Sequence, residues 1–120
     1  MSMMPKFRAF LKDTKKIVDV EIIFFELCVV KLTNNEFYEF EDIILMQSTG
    51  VYDKHGVEIF EWDILISQDG TDGLISRFIV KRDEFYTGFI PMNREGCGFN
   101  RTMCEVIGNV CQHHELLDDV

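Results

Sequence analysis

No apolar run in this 120-residue chain exceeds four residues. Residues 22–25 and 43–46 reach that length, and charged or turn-forming residues follow soon after each. A membrane-spanning helix needs about 20 consecutive apolar residues, so runs this short exclude one. Their β-branched content and spacing suit short strands instead. The sequence therefore predicts strands over residues 6–11, 17–25, 27–32, 37–40, 57–66, 74–81, 85–90 and 103–110. Periodicity alone does not decide between strand and helix for residues 43–46. Asp13-Thr14-Lys15-Lys16 reads as a polar turn, and Asn34-Asn35 supplies a second, because Asn tolerates left-handed backbone. Gly50 and Gly56 bracket a third, opened by Asp53. Asp69-Gly70 and Asp72-Gly73 mark another reversal. The segments 74–81 and 85–90 are placed to pair with each other. Residues 91–101, with Gly96 and Gly98, read as a mobile loop. Residues 115–120 form a short acidic end with room for one helical turn. Many short strands joined by Gly and Asp turns imply a mainly β fold, a small barrel or sandwich.

The length fits one domain spanning 1–120, in which the first 40 or so residues can form an N-terminal subdomain. A chain this long buries enough surface to fold without metal or disulfide. Eleven Phe side chains lack a polar tip and belong in a core or an interface. The net charge is −9, unevenly spread. Residues 1–16 carry five basic groups and one acidic group, a net +4; residues 17–120 carry −13. An acidic body repels phosphates and anionic membranes. The basic start reads first as a solvated edge, and alternatively as a segment that docks on the acidic body of a neighbouring subunit. The start of the chain has no apolar leader, so the expected compartment is the cytoplasm, with reduced thiols.

Three groups of residues are candidates for chemistry. Cys97, Cys104 and Cys111, followed by His113 and His114, offer zinc ligands but lack the paired spacing of a zinc knuckle. Cys97 between two glycines, with histidines later in the chain, has the residue types of a thiolate nucleophile and nothing else to support it. Glu58, Glu61 and Asp63, beside Trp62, form a candidate binding face, since Glu61 and Asp63 share one side of an extended strand. The plainer reading makes that trio a solvated face opposite buried Ile59, Phe60 and Ile64. No phosphate-cradling glycine loop is present. No catalytic residue, metal ligand or cofactor is expected.

Residues 45–64, which run Leu-Met-Gln-Ser-Thr-Gly-Val-Tyr-Asp-Lys-His-Gly-Val-Glu-Ile-Phe-Glu-Trp-Asp-Ile, resemble the signature of the YopX family. Lys6-Phe7-Arg8-Ala9-Phe10 resembles the start of that family. Glu105-Val106-Ile107-Gly108-Asn109-Val110, with Glu115-Leu116-Leu117, resembles its end. Three departures stand out. Phe10 replaces a usual Trp, and Ser48 stands where an aromatic is common. Trp62 replaces a Gly, and a Trp cannot take positive φ cheaply. The resemblance implies an SH3-like β-barrel, over residues 41–120, with additional N-terminal β elements over 1–40. It also implies self-association and a phage or prophage origin, and no known enzyme activity. The resulting expectation is a non-enzymatic, homo-oligomeric accessory protein that binds a host or phage protein partner and no membrane. The alternative is a nucleic-acid-associated or DNA-mimicking module.

Overall fold

The computed structural model describes residues 6–68, 75–84, 88–93 and 103–117. Its strands are β1 (Phe7–Leu11), β2 (Ile17–Phe24), β3 (Val29–Leu32), β4 (Phe37–Glu39), β5 (Ile43–Tyr52), β6 (Glu58–Phe60), β7 (Asp63–Gln68), β8 (Ile75–Ile79), β9 (Lys81–Arg82), β10 (Phe89–Ile90) and β11 (Cys104–Asn109). Two 3-10 turns, Phe40–Asp42 and His114–Leu117, lie among the described residues. The fold is mainly β, as the sequence implies, and every strand pair with an assigned register is antiparallel. The chain forms two compact units, Met1–Ser48 and Thr49–Val120, and the division falls inside β5, where no linker composition marks it. Among the described residues no helix is long and apolar enough to cross a membrane.

The first unit is a sheet in the order β4-β3-β2-β1-β5. Directly paired residues in antiparallel strands share a face, so the register defines the core. Ala9 pairs with Val18 and Leu45, and Leu11 with Ile43. Val20 pairs with Leu32, and Val30 with Ile23 and Tyr38. These same residues form one apolar cluster, in which Ala9, Leu11, Val30, Leu32 and Ile43 are buried. The expected turns at Asp13-Thr14-Lys15-Lys16 and Asn34-Asn35 are present, and Lys15 and Asn35 take the left-handed conformation with φ of 63° and 70°.

Between Val20 and Ile22 the β2–β3 register shifts: two steps along β2 match one along β3. This is a β-bulge, and it reverses the facing of everything beyond it on the bulged strand. Up to the bulge Val18 and Val20 point into the core. Beyond it Ile23 does, and Ile22 and Phe24 are left on the opposite face.

In the second unit the end of β5 pairs with β6, β7 is the centre of a sheet ordered β11-β7-β8, and β9 pairs with β10. Ile59, Leu65, Val80 and Cys104 make its buried core, with Val51, Phe78, Phe89, Met92 and Val106 around them. Two expectations are corrected here, and one open choice is resolved. Residues 57–66 are two strands with a turn at Glu61-Trp62, because Asp63 bonds back to that turn. Gly50 does not bracket the turn but sits inside β5 with φ of 76°, a conformation at which only glycine is unstrained. Residues 43–46 open a ten-residue strand. The proposed pairing of 74–81 with 85–90 is seen as Lys81 opposite Ile90. The reversal at 69–73, Cys97 and most of the 91–101 loop lie outside the described residues. Among the described residues the strands do not close into a barrel.

Candidate functional site

The segment with the family-like pattern is built around two aspartates. Between β5 and β6 the chain reverses over residues 53–57, with Asp53 N–H donating to Val57 O (2.8 Å) and Gly56 N–H to Asp53 O (3.0 Å). The Asp53 carboxylate then caps the turn it opens. Its Oδ1 accepts from the backbone N–H of His55 (2.8 Å) and of Val57 (2.9 Å). Its Oδ2 accepts from Val106 N–H (3.0 Å), on β11, 53 residues away. Lys54 N–H to Cys104 O (3.0 Å) and the His55 Nε2–Glu105 contact (3.6 Å) tie the same turn to the same strand. Burial pushes the Asp53 carboxyl upward. The N–H groups of Val106, Val57 and His55 and the nearby imidazole outweigh it, so the pKa lies below the ordinary value. A carboxylate held by several backbone N–H groups is stabilised in its charged form.

The second aspartate closes the β6–β7 turn. Asp63 is buried, and its Oδ2 accepts from Phe60 N–H (2.8 Å). Between them Trp62 adopts φ of +73°. The expectation that a Trp would not take positive φ there is overturned, and the reason lies on both sides of its backbone. Trp62 N–H donates to Val80 O (2.7 Å), and Trp62 O accepts from Val110 N–H (2.9 Å). The two bonds hold in place a conformation that costs an L-residue roughly 1–2 kcal/mol.

The four residues of the candidate face therefore separate. Glu58, Glu61 and Trp62 are half-buried and border the turn, whereas Asp63 points inward and serves the fold. The exposed trio of Glu58, Glu61 and Asp63 does not form. Ile59, Phe60 and Ile64 are buried, as read from the sequence.

The Cys and His candidates are dispersed into structural roles. Cys104 is in the core of the second unit, Cys111 is half-buried, and His113 Nδ1 accepts from Asn109 N–H (3.1 Å). Cys97 and the His114 side chain lie outside the described residues.

Two clefts had no signal in the sequence, because each is assembled from residues distant along the chain. In the second unit a cavity of about 180 Å³ is lined by Thr49, Val51, Gly88, Phe89, Met92 and Asn93. Its polar groups are engaged in the fold: Thr49 Oγ1 donates to Ile59 O (2.7 Å), and Asn93 Nδ2 donates to buried Asp83 (3.1 Å). It is smaller than the roughly 300 Å³ at which ligand pockets begin. In the first unit a cleft of about 380 Å³ is lined by Leu27, Cys28, Glu39, Phe40 and Glu41. The carboxylates of Glu39, Glu41 and Asp42 lie within 4.8 Å of one another and are exposed. A hydrogen bond that the protonated Glu39 carboxyl donates to Glu41, with the charges of Glu41 and Asp42, pushes the Glu39 carboxyl up.

These features define a class: an antiparallel β protein of two units whose buried carboxylates fasten turns to strands. The family model described as YopX protein matches residues 6–118, and the chain belongs to that family. Its structure is similar to the crystal structure of protein EF1440 from Enterococcus faecalis, with a TM-score of 0.70 and 25% identity, covering 97% of this chain and 99% of that one. No curated protein matches the chain.

Proposed function

We propose that this is a non-enzymatic accessory protein of a phage or prophage, working in the host cytoplasm as a homo-oligomeric module that binds a protein partner. The observation that carries the reading is a division of labour among side chains. The buried carboxylates Asp53 and Asp63 accept backbone N–H bonds that hold turns. Large apolar side chains, by contrast, stand in solvent: Phe25, Leu27 and Phe37 in the first unit, Tyr52 and Ile75 in the second. Exposed aromatic and aliphatic groups are the material of interfaces. Within this reading the second unit is an SH3-like barrel. The bond from Lys54 to Cys104 supports it, since it joins the β5–β6 turn to β11, which belongs to a different strand pair. The test is size-exclusion chromatography with light scattering at two salt concentrations. Assembly above the 14.1 kDa monomer is expected, and a strict monomer at low salt overturns it.

A second reading, a DNA-mimicking or nucleic-acid-associated module, is favoured by charge. Residues 49–120 carry thirteen acidic and six basic groups, a net −7. It predicts either a salt-dependent complex with DNA or capture of a DNA-binding protein of the host, and failure of both removes it.

A further inference from the structure

β4 is the end strand of its sheet: β3 lies on one side, and among the described residues no strand lies on the other. The register decides which backbone groups that leaves open. Leu32 N–H donates to Glu36 O (2.8 Å) and Phe40 N–H to Cys28 O (2.8 Å), on either side of the Val30–Tyr38 pair. Alternate residues of an antiparallel strand turn their N–H and C=O to opposite edges. Glu36, Tyr38 and Phe40 therefore face β3, and Phe37 and Glu39 direct their backbone groups outward. The side chains of those two residues share one face of the sheet, and Phe37 is 59% exposed. A free row of N–H and C=O groups is a template for another strand.

The same edge is acidic. Residues 36–42, Glu-Phe-Tyr-Glu-Phe-Glu-Asp, carry four carboxylates and no base. Glu39 and Glu41 line the 380 Å³ cleft, with Leu27 and Phe40 as its apolar walls. Lys12 comes close, but its Nζ donates to the Glu41 carbonyl (2.8 Å). Among the described residues no basic side chain pairs with the carboxylates of Glu39, Glu41 and Asp42. The hydrogen bond with Glu41 and the charges around it, which push the Glu39 carboxyl up, mark an excess of negative charge that a cation relieves.

We propose that the free edge of β4 docks an extended cationic segment of a protein partner, which adds as a further antiparallel strand and sets an arginine or lysine against Glu39 and Glu41. This names the chemistry of the partner and rests on the protein-binding half of the reading above. Charge selects the occupant. A second copy laid edge to edge would oppose four carboxylates with four, so this edge repels its own kind. A segment with a cation is attracted to it. Spacing fits as well: Phe37 and Glu39 stand about 6.7 Å apart, as alternate residues of any strand do. Every assigned pair in the protein is antiparallel. In that sense the segment reads Arg/Lys-x-apolar, with the cation beside Glu39 and the apolar side chain beside Phe37. Those two residues of the segment exchange backbone bonds with β4, and the middle one points its N–H away.

The test is NMR titration of the nitrogen-15-labelled full chain with capped heptapeptides, each a Ser/Gly frame around one Arg-Thr-Leu step. The Phe37 and Glu39 amides should shift saturably, and the Tyr38 amide, already bonded to β3, far less. Replacing the peptide's arginine with glutamate, or methylating its leucine nitrogen, should each weaken binding about 10-fold, and methylating its threonine nitrogen far less. In the protein, Glu39→Gln should weaken binding about 5-fold through charge. Glu39→Pro suits the local backbone, φ −77° and ψ 152°, and spares the bonds to β3 because that N–H faces outward. It should remove the binding that Glu39→Gln leaves, with far-UV circular dichroism to establish folding; the methylated peptides test the same bonds on the unaltered protein. Phe37 and Glu39 amides indifferent to every peptide overturn the site, and with assembly intact in light scattering they leave the reading above standing. A strict monomer that still shows the edge shifts overturns the homo-oligomer and keeps the site. Binding that follows charge but ignores the methylated leucine overturns the added strand, and equal affinity for Leu-Thr-Arg overturns its antiparallel sense.

Discussion

The two units keep their chains folded by different means. Among the described residues the buried polar side chains are Asp53, Asp63, Ser67, Asp83 and Asn109, and all of them fall in the second unit. The buried cluster of the first unit is aliphatic throughout: Ala9, Leu11, Val30, Leu32 and Ile43. Its strands β1 to β4 follow one another through short turns and pair as neighbours, and β5 returns to pair with β1 through backbone bonds alone. The second unit must fasten the 53–57 turn to β11, half a chain later, and it does so with a carboxylate. Transfer of apolar surface is non-directional, whereas a carboxylate whose two oxygens accept from three N–H groups fixes a particular geometry. The difference teaches where each unit is vulnerable: the first to lost volume, the second to lost charge.

The sharpest way to break the contrast is Asp53→Ala. It leaves the N–H groups of His55, Val57 and Val106 without their acceptor inside a buried turn. Hydrogen bonds to a charged group contribute roughly 1.5–3 kcal/mol each and are not additive, so a loss of about 4 kcal/mol is expected in urea unfolding. Native-state hydrogen exchange should place that loss in β6 and β11 and spare β1–β3. The first unit gives the counterpart. Val30→Ala, at a site with no exposure, removes about two methyl groups and should cost about 2 kcal/mol, cavity included. Its effect belongs in the amides of β1–β3. Equal protection changes across both units in either variant would show that they unfold as one.

Acid separates the two further. The Asp53 carboxyl has a folded pKa below its unfolded value of about 3.9. Its contribution is fully present above that unfolded value and is lost as pH falls through the folded one. Asp53→Asn keeps one acceptor oxygen and should be about 2 kcal/mol less stable than wild type at pH 7. That gap should close as the pH falls below about 4. The Val30→Ala gap should not change over the same range, because no ionisation accompanies it. A pH-independent gap for Asp53→Asn would mean that the charge is not what holds the turn.

How much of this was legible in the sequence follows the same division. The strands and turns of the first unit are written locally: alternation over residues 7–11, and Asn34-Asn35 between two apolar runs. The bulge is not, because Val18, Val20, Ile22 and Phe24 keep an even spacing into the apolar run at 22–25, and the shift appears only against β3. The outward apolar face was therefore hidden by a pattern that reads as core. In the second unit Asp53 and Gly56 announce their turn, but the bond to Val106 has no local signature. Asp63 misled for a related reason. An acidic residue two places from another suggests a shared solvated face, and the N–H of Phe60 that it satisfies cannot be seen until the turn is formed.

Trp62 gives the smallest effect and the finest test of how far distant bonds overrule local preference. Local sterics argue against φ of +73° at a Trp, and the bonds to Val80 and Val110 impose it. Replacing Trp62 with Ala removes the half-buried ring but keeps a Cβ in the left-handed region. Replacing it with Gly removes the ring and the Cβ clash together. Both variants lose the same packing, so their difference reads the backbone alone. Trp62→Gly should be more stable than Trp62→Ala by about 1 kcal/mol, after allowing for the greater freedom of unfolded glycine. The measurement is the difference in urea midpoint at equal slope. If Ala proves as stable as Gly, the left-handed turn is not held at position 62 once the indole is gone, and the ring itself, more than the two backbone bonds, sets the conformation.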